Sequence, residues 1–178
     1  MQESKIILSK EQKKALQSYR RLWISIRDLE ESLEMTRQII DKGLRHPGFN
    51  KVNPLLAGLT SALVVAYSRP FVHSRGNKEF ADRTLSGALL RIYTRGERSL
   101  HEHIISRRNK AIAHSDSDIL ELSLRLYPSG DGGIHRVVNE PFYRTDLYIL
   151  KKMIGKLLEA IDSECAVLRQ QLPLYEEL

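Results

Sequence analysis

The chain has 178 residues, of which 42% are hydrophobic and 28% are charged. This length suits one domain with a sizeable core and is short for two, and the composition excludes an intrinsically disordered chain. Lys and Arg outnumber Asp and Glu by 28 to 22, and the resulting net charge of +6 permits a polyanion partner without requiring one.

A single cysteine, Cys165, excludes a disulfide framework and a cysteine-based zinc site within one chain. The first residues do not have the pattern of a signal peptide, and the longest nearly apolar run, 55–67, is shorter than the roughly 20 residues of a membrane helix. We therefore expect one soluble domain over 1–178, located in the cytoplasm, without a membrane partner.

The first predicted helix begins after Ser9, because Gln12 stands three residues further on and completes a capping box. Apolar residues then recur at the helical period as far as Ile40, and Gly43 predicts the end of the helix. We expect its surface to include a solvated face that carries Lys13, Lys14, Arg20 and Arg21.

A second helix is predicted from Asn53, a capping residue, and Pro54, which suits the first helical position, to about Arg69. This helix is apolar nearly all round, so we expect it to be the buried central helix. Residues 73–98 are hard to interpret beyond a basic loop and a short helix over 85–93.

Ser99 and Glu102 form a second capping box, which predicts a third long helix to about His114. The hydrophobic period then changes to two over 119–127, and a glycine-rich turn over 128–133 leads to a return strand at 134–138. Thr145 or Asp146 opens a last long helix. The predicted fold class is mainly α, an antiparallel bundle of four long helices with one inserted β-hairpin.

The segment 107–116 is the part of the sequence that points to specific chemistry. On a helix with about 100° per residue, Arg108 projects from the middle of an apolar arc, where a charge requires an acid, a phosphate or water. His103, Arg107, Lys110 and His114 share a neighbouring arc. The C-terminal end of a helix favours a protonated histidine.

These residue types suit RNA cleavage without a metal ion. A histidine moves protons at neutral pH, an arginine matches phosphate oxygens, and an amide such as Asn109 orients either group. A symmetric dimer would bring two copies of the imidazole together. The alternative is structural: Arg108 pairs with Asp28 or Glu31 of the first helix, while Asn109 and His114 cap the helix end.

The sequence also resembles a known family at this segment. Arg108-Asn109 followed by Ala113-His114 is similar to the signature of the HEPN superfamily: an arginine, a polar residue that is often asparagine, and a histidine a few residues on. Five residues separate Arg108 from His114 here. The surrounding frame, with long helices before and after the motif, is similar to that of bacterial HEPN proteins with defence-linked roles.

The resemblance implies a helical bundle that forms a homodimer through its motif helices. Active members resemble metal-independent endoribonucleases or ribonuclease-like toxins of prokaryotic defence and stress systems, with RNA as substrate and an antitoxin protein as a further candidate partner. Carried over, it makes Arg108 the phosphate-binding charge, Asn109 the polar orienting group and His114 the acid and base. The alternative is a non-catalytic helical module that binds nucleic acid, a nucleotide or a protein.

Further cations are candidate contacts to RNA around this motif. The predicted nucleic-acid-binding set is Arg107, Lys110, Arg69 and Arg75. For Arg69, the competing interpretation is a loop anchored by Tyr67 and Phe71.

The run His101-Glu102-His103 resembles a metal motif only superficially, because helical residues two apart do not face each other. We therefore expect no metal site and no cofactor.

Overall fold

The computed structural model describes residues 8–45, 53–72, 84–109, 122–126, 132–136, 142 and 144–173. The predicted mainly helical class is confirmed. The elements, in chain order, are α1 Lys10–Asp41, α2 Pro54–Ser68, two one-turn 3₁₀ helices Arg69–Phe71 and Leu89–Ile92, α3 Arg95–Arg107, β1 Leu122–Leu126, β2 Gly132–Arg136 and α4 Arg144–Gln170.

Helix α1 begins and ends where its sequence predicts. The Ser9 hydroxyl accepts from the backbone N–H of Gln12, and the Gln12 side chain accepts from the backbone N–H of Ser9, so the capping box is formed. At the other end, Gly43 has a φ of 57°, the left-handed conformation that closes a helix and favours glycine. These local signals define a helix of 32 residues.

Helix α1, rather than α2, is the central helix of the described fold. It packs along both α2 and α4, and its contacts include the Ser32 hydroxyl, which donates to the Leu63 carbonyl at 3.4 Å. The prediction that α2 is buried all round is wrong, since Leu55 is 50% exposed and Gly58 and Ser61 are exposed. Its small residues present little apolar surface to bury, so one face of α2 remains at the surface.

Only two of the described α-helices are long. Helix α1 has 32 residues and α4 has 27, whereas α2 has 15 and α3 has 13. The second helix has its predicted extent, and the third reaches Arg107 within the described residues. In α4 the buried residues follow the helical period, which places one apolar face against the core. They are Leu147, Leu150, Met153, Ile154, Leu157, Ile161 and Cys165.

Helix α3 begins five residues before the predicted start, with Thr94 rather than Ser99 as its N-terminal cap. The sequence has two Thr/Ser-x-x-Glu patterns that could cap this helix, and the first is used. The Thr94 hydroxyl accepts from the Glu97 N–H, and a Glu97 carboxylate oxygen accepts from the Thr94 N–H. Ser99 is an exposed residue inside the helix. The first pattern is favoured because Glu97 also pairs with Lys156 of α4, a contact that Glu102 does not make.

The segment before α3 is anchored to the end of α2. The Leu85 N–H donates to the Pro70 carbonyl at 2.7 Å, and Leu85 itself is buried. One 3₁₀ turn then leads to the buried Tyr93. This path fixes the start of α3 beside the C-terminal end of α2.

Strands β1 and β2 pair antiparallel, with Leu122 opposite Arg136 and Leu126 opposite Gly132. The pairing includes Gly132 and Gly133, which were expected in the turn. Glycine can occupy a strand because its backbone still forms the inter-strand hydrogen bonds, although it has no side chain to pack.

Candidate functional site

The motif residues that the structure describes lie at the C-terminal end of α3. Arg107 is the last α-helical residue, and the backbone of Arg108 and Asn109 continues in a wider, π-helical turn. Such turns occur frequently at functional sites. Arg107 and Arg108 are partly buried, whereas Asn109 is exposed.

Arg108 continues the buried face of α3. Glu97, His101 and Ile104 are the buried residues of this helix, spaced by four and three, and Arg108 follows four residues later. Ile104 is fully buried. The Arg108 side chain therefore begins at the edge of the core, and its guanidinium makes its hydrogen bond at an exposed position.

The guanidinium of Arg108 is bonded to the neighbouring amide. Its Nη1 donates to Oδ1 of Asn109 at 3.1 Å. Within the described residues no carboxylate lies at ion-pair distance from Arg108. Since an arginine has five N–H donors in a planar fork, most of its donors remain available to an oxyanion.

Arg107 adds a second cation beside it. Burial lowers the pKa of Arg107 from its ordinary value, and no acid in the described part of the chain compensates its charge. The pKa of an arginine stays far above neutrality even so. Arg107 and Arg108 are consecutive cations, and burial desolvates Arg107, so an anion would stabilise this end of α3.

Arg69, a predicted RNA contact, forms ion pairs with two acids of α1. Its Nη1 lies 2.8 Å from Glu31 and 3.2 Å from Asp28, both on α1. These are the two acids that the structural alternative assigned to Arg108. Arg69 therefore joins the end of α2 to α1, and its charge is compensated.

Arg21 also belongs to this junction rather than to a solvated face. Its Nη2 donates to the carbonyls of Arg69 and Pro70, at 3.2 and 3.1 Å. Burial lowers the pKa of Arg21, partly offset by Asp28. The backbone carbonyls at the end of a helix are good acceptors for such a cation.

A buried polar cluster lies behind the motif, between α2, α3 and α4. The Tyr67 hydroxyl is 3.0 Å from Nδ1 of His101 and 3.4 Å from the Tyr93 hydroxyl, which donates to the Met153 carbonyl at 3.5 Å. The ring of Phe71 packs edge to face on His101 with centroids 4.7 Å apart. This cluster fixes the rotation of α3, and therefore the direction in which Arg108 projects.

Burial sets the charge state of this cluster. It lowers the pKa of His101 and raises the pKa of Tyr93 to about 12, and it raises the pKa of Tyr67 further. His101 is neutral at physiological pH. Every contact is satisfied when Nδ1–H of His101 donates to Tyr67, Tyr67 donates to Tyr93, and Tyr93 donates to Met153.

His101 and Glu97 were not identified from the sequence. Their signal is the spacing of positions 97, 101, 104 and 108, which places two polar residues and Arg108 on the face of Ile104. Glu97 accepts from Nζ of Lys156 at 2.7 and 2.9 Å, and this hydrogen bond lowers the pKa of Glu97.

The remaining sequence-predicted site residues, Lys110, His114 and Arg75, lie outside the described residues. The structure therefore brings together Arg107, Arg108 and Asn109 of the predicted set. Of the His-Glu-His run, His101 is buried while Glu102 and His103 are exposed. Within the described ranges, no group of three His, Cys, Asp or Glu side chains is arranged to hold a metal ion.

The chain matches no protein-family model, and no curated protein and no solved structure matches it significantly. In addition, none of the helices in the described segments combines the length and apolarity needed to cross a membrane. The resemblance to HEPN proteins therefore stays a prediction from the sequence.

Proposed function

We propose that the protein is a HEPN-type, metal-independent endoribonuclease or ribonuclease-like toxin of a prokaryotic defence or stress system, acting as a dimer in the cytoplasm. The observation that supports this most strongly is the pair Arg107 and Arg108, two partly buried cations without a carboxylate partner in the described chain. A phosphodiester is an anion that matches their planar donor geometry.

Each motif residue has a distinct role in this proposal. Arg108 binds the phosphate and stabilises the charge that develops on it, and Asn109, already bonded to Arg108, orients the guanidinium. His114 removes the proton of the ribose 2′-hydroxyl, whose oxygen then attacks phosphorus. The P–O5′ bond breaks, the leaving oxygen takes up a proton, and the products carry a 2′,3′-cyclic phosphate and a 5′-hydroxyl.

A dimer would supply the second proton-transfer group. Each chain contributes one motif histidine, and a two-fold axis through the motif helices would place a second imidazole across the same phosphate. One imidazole then acts as base while the other, protonated, acts as acid. An antitoxin protein would act by covering this shared cleft.

The proposal is tested by incubating the protein with RNA in the presence of EDTA. The wild type is expected to leave 2′,3′-cyclic phosphate ends, and His114→Ala and Arg108→Ala are expected to leave none. Arg95→Ala is the matched control, because Arg95 is an exposed cation at the opposite end of the same helix. Equal cleavage by the wild type and His114→Ala, or no cleavage by either, would return the chain to the class of non-catalytic helical modules.

A further inference from the structure

The charges of α1 are divided between its two halves. Residues 10–27 carry six cations and one acid, whereas residues 28–41 carry five acids and one cation. The six cations are Lys10, Lys13, Lys14, Arg20, Arg21 and Arg27. The macrodipole disfavours cations in the first turn and acids in the last turn, so helix stability alone does not explain this arrangement.

The acids near the boundary between the two halves of α1 are in ion pairs. Asp28 and Glu31 pair with Arg69, and Glu30 lies 3.7 Å from Arg27. In the basic half, Lys13, Lys14 and Arg20 make no ion pair within the described residues. Lys13, Lys14 and Arg20 are exposed. The N-terminal half of α1 is therefore a positively charged strip.

Aromatic side chains are interleaved with these cations. Trp23 is 50% exposed, and its ring meets that of Tyr19 edge to face with centroids 6.4 Å apart. Ile24 is 44% exposed. Among the described residues, Tyr19, Arg20, Trp23 and Ile24 line an open hollow of about 390 Å³. Because the two rings are not stacked on each other, a flat apolar group has an aromatic face to rest on.

We propose that this surface, Tyr19, Arg20, Trp23 and Ile24, binds single-stranded RNA by stacking a base on Trp23. Arg20, together with Lys13 and Lys14 about two turns before it, contacts the flanking phosphates. Proteins commonly bind single-stranded nucleic acids with a strip of alternating aromatic groups and cations. Each base has a π-face that stacks on an aromatic ring, and each phosphodiester has a negative charge that attracts a cation. An acidic peptide would use the cations but would gain little from an indole face.

The location of the surface is compatible with the motif. Helices α1 and α2 run antiparallel, since Ser32 contacts Leu63 while Arg21 contacts Pro70. The C-terminal end of α2 therefore lies beside the basic half of α1. Tyr67 and Phe71, at the same end of α2, both contact the ring of His101. His101 is six residues before Arg107. The basic half of α1 and the middle of α3 are thus both next to the C-terminal end of α2.

Trp23 is the single tryptophan of the chain, so its fluorescence reports directly on this surface. The probe is a 2′-O-methyl oligouridylate of about 12 nucleotides, which has no free 2′-hydroxyl and cannot be cleaved by the proposed chemistry. We expect it to quench Trp23 fluorescence in a saturable way, and an RNA duplex of the same length, whose bases are already stacked, to quench it much less.

Variants separate stacking from charge. Anisotropy of a labelled probe should show about 5- to 150-fold weaker binding for Trp23→Leu, which keeps an apolar side chain and removes the π-face. Arg20→Ala should weaken binding and reduce the slope of log K against log salt by about one. Lys151→Ala is the matched control, because it removes an exposed cation on α4 and should leave both quantities unchanged.

Three outcomes would overturn the assignment: equal probe affinity of Trp23→Leu and the wild type, quenching by polyglutamate comparable to that by the RNA probe, or a drop in oligomer mass for Trp23→Leu without loss of RNA binding. The last would identify the surface as a contact between copies of the chain. Because the probe is not cleaved, none of these results depends on ribonuclease activity, and a failed cleavage assay leaves this test intact.

Discussion

Nδ1 of His101 lies 3.0 Å from the hydroxyl oxygen of Tyr67, inside the interface between α2 and α3. His101 is 7% exposed, and it is seven residues before Arg108 on the same face of α3. This contact connects the core to the candidate site, since a rotation of α3 that broke it would also redirect Arg108.

The buried histidine gives the fold a pH dependence of definite sign. Burial lowers the pKa of His101, so the unfolded chain takes up a proton first as the pH falls. Its neutral form faces Tyr67 and Tyr93, with Arg98 and Glu102 nearby on α3. We expect the free energy of unfolding to be highest above about pH 6.5 and to fall below it.

This dependence is measured by urea unfolding between pH 5 and 8. His101→Gln should flatten the fall in stability below pH 6.5, whereas His103→Gln, which changes an exposed histidine, should follow the wild type. An unchanged pH profile in His101→Gln would show that the cluster does not carry the effect.

The ion pair of Glu97 and Lys156 should contribute substantially to stability. The Glu97 side chain is 7% exposed, so Lys156→Ala would leave a buried carboxylate without its partner. We expect a loss of about 2–4 kcal/mol in the free energy of unfolding. The double variant Glu97→Gln, Lys156→Met should recover most of the loss, and chemical denaturation of the three variants measures it.

The start of α3 is tested by two hydroxyl removals. Thr94→Ala deletes the capping acceptor and should cost about 1 kcal/mol. Ser99→Ala, at an exposed position inside the helix, should change stability by less than about 0.5 kcal/mol. Equal costs in thermal or urea unfolding would contradict the helix boundary.

Alanine variants of Arg69 and Arg107 should differ in their effects on stability and on RNA cleavage. Arg69→Ala breaks a half-exposed contact with Asp28 and Glu31, so it should cost about 0.2–1 kcal/mol in stability and leave RNA cleavage unchanged. Arg107→Ala removes a cation without a carboxylate partner among the described residues and should raise KM for RNA without a comparable loss of stability. Paired denaturation and kinetic measurements distinguish the two roles, and the reverse pattern would identify Arg69, rather than Arg107, as the RNA contact.

The sequence predicted helix ends correctly where the capping interaction is between residues close together in the chain. The Ser9 capping box, Gly43 at the end of α1 and the Asn53 cap before Pro54 are all formed. Each depends on residues within a few positions of one another, so the sequence contains the complete interaction.

The choice between two equivalent local signals depended on tertiary contacts. Thr94 and Ser99 both begin a Thr/Ser-x-x-Glu pattern, and the decisive contact is with Lys156, 59 residues from Glu97. The same is true of the acids of α1. From the sequence, Asp28 and Glu31 were possible ion-pair partners of Arg108. In the structure they pair with Arg69, because α1 and α2 are antiparallel.

By itself, the sequence determined the helical class, most helix ends and the position of Arg108 on an apolar face, because periodicity and capping are encoded within one helix. The tertiary structure decided which cations are compensated, that His101 and Glu97 are buried, and that Trp23 faces solvent beside Arg20. Those outcomes depend on which faces of different helices meet, and that is a property of the packed chain rather than of any one segment.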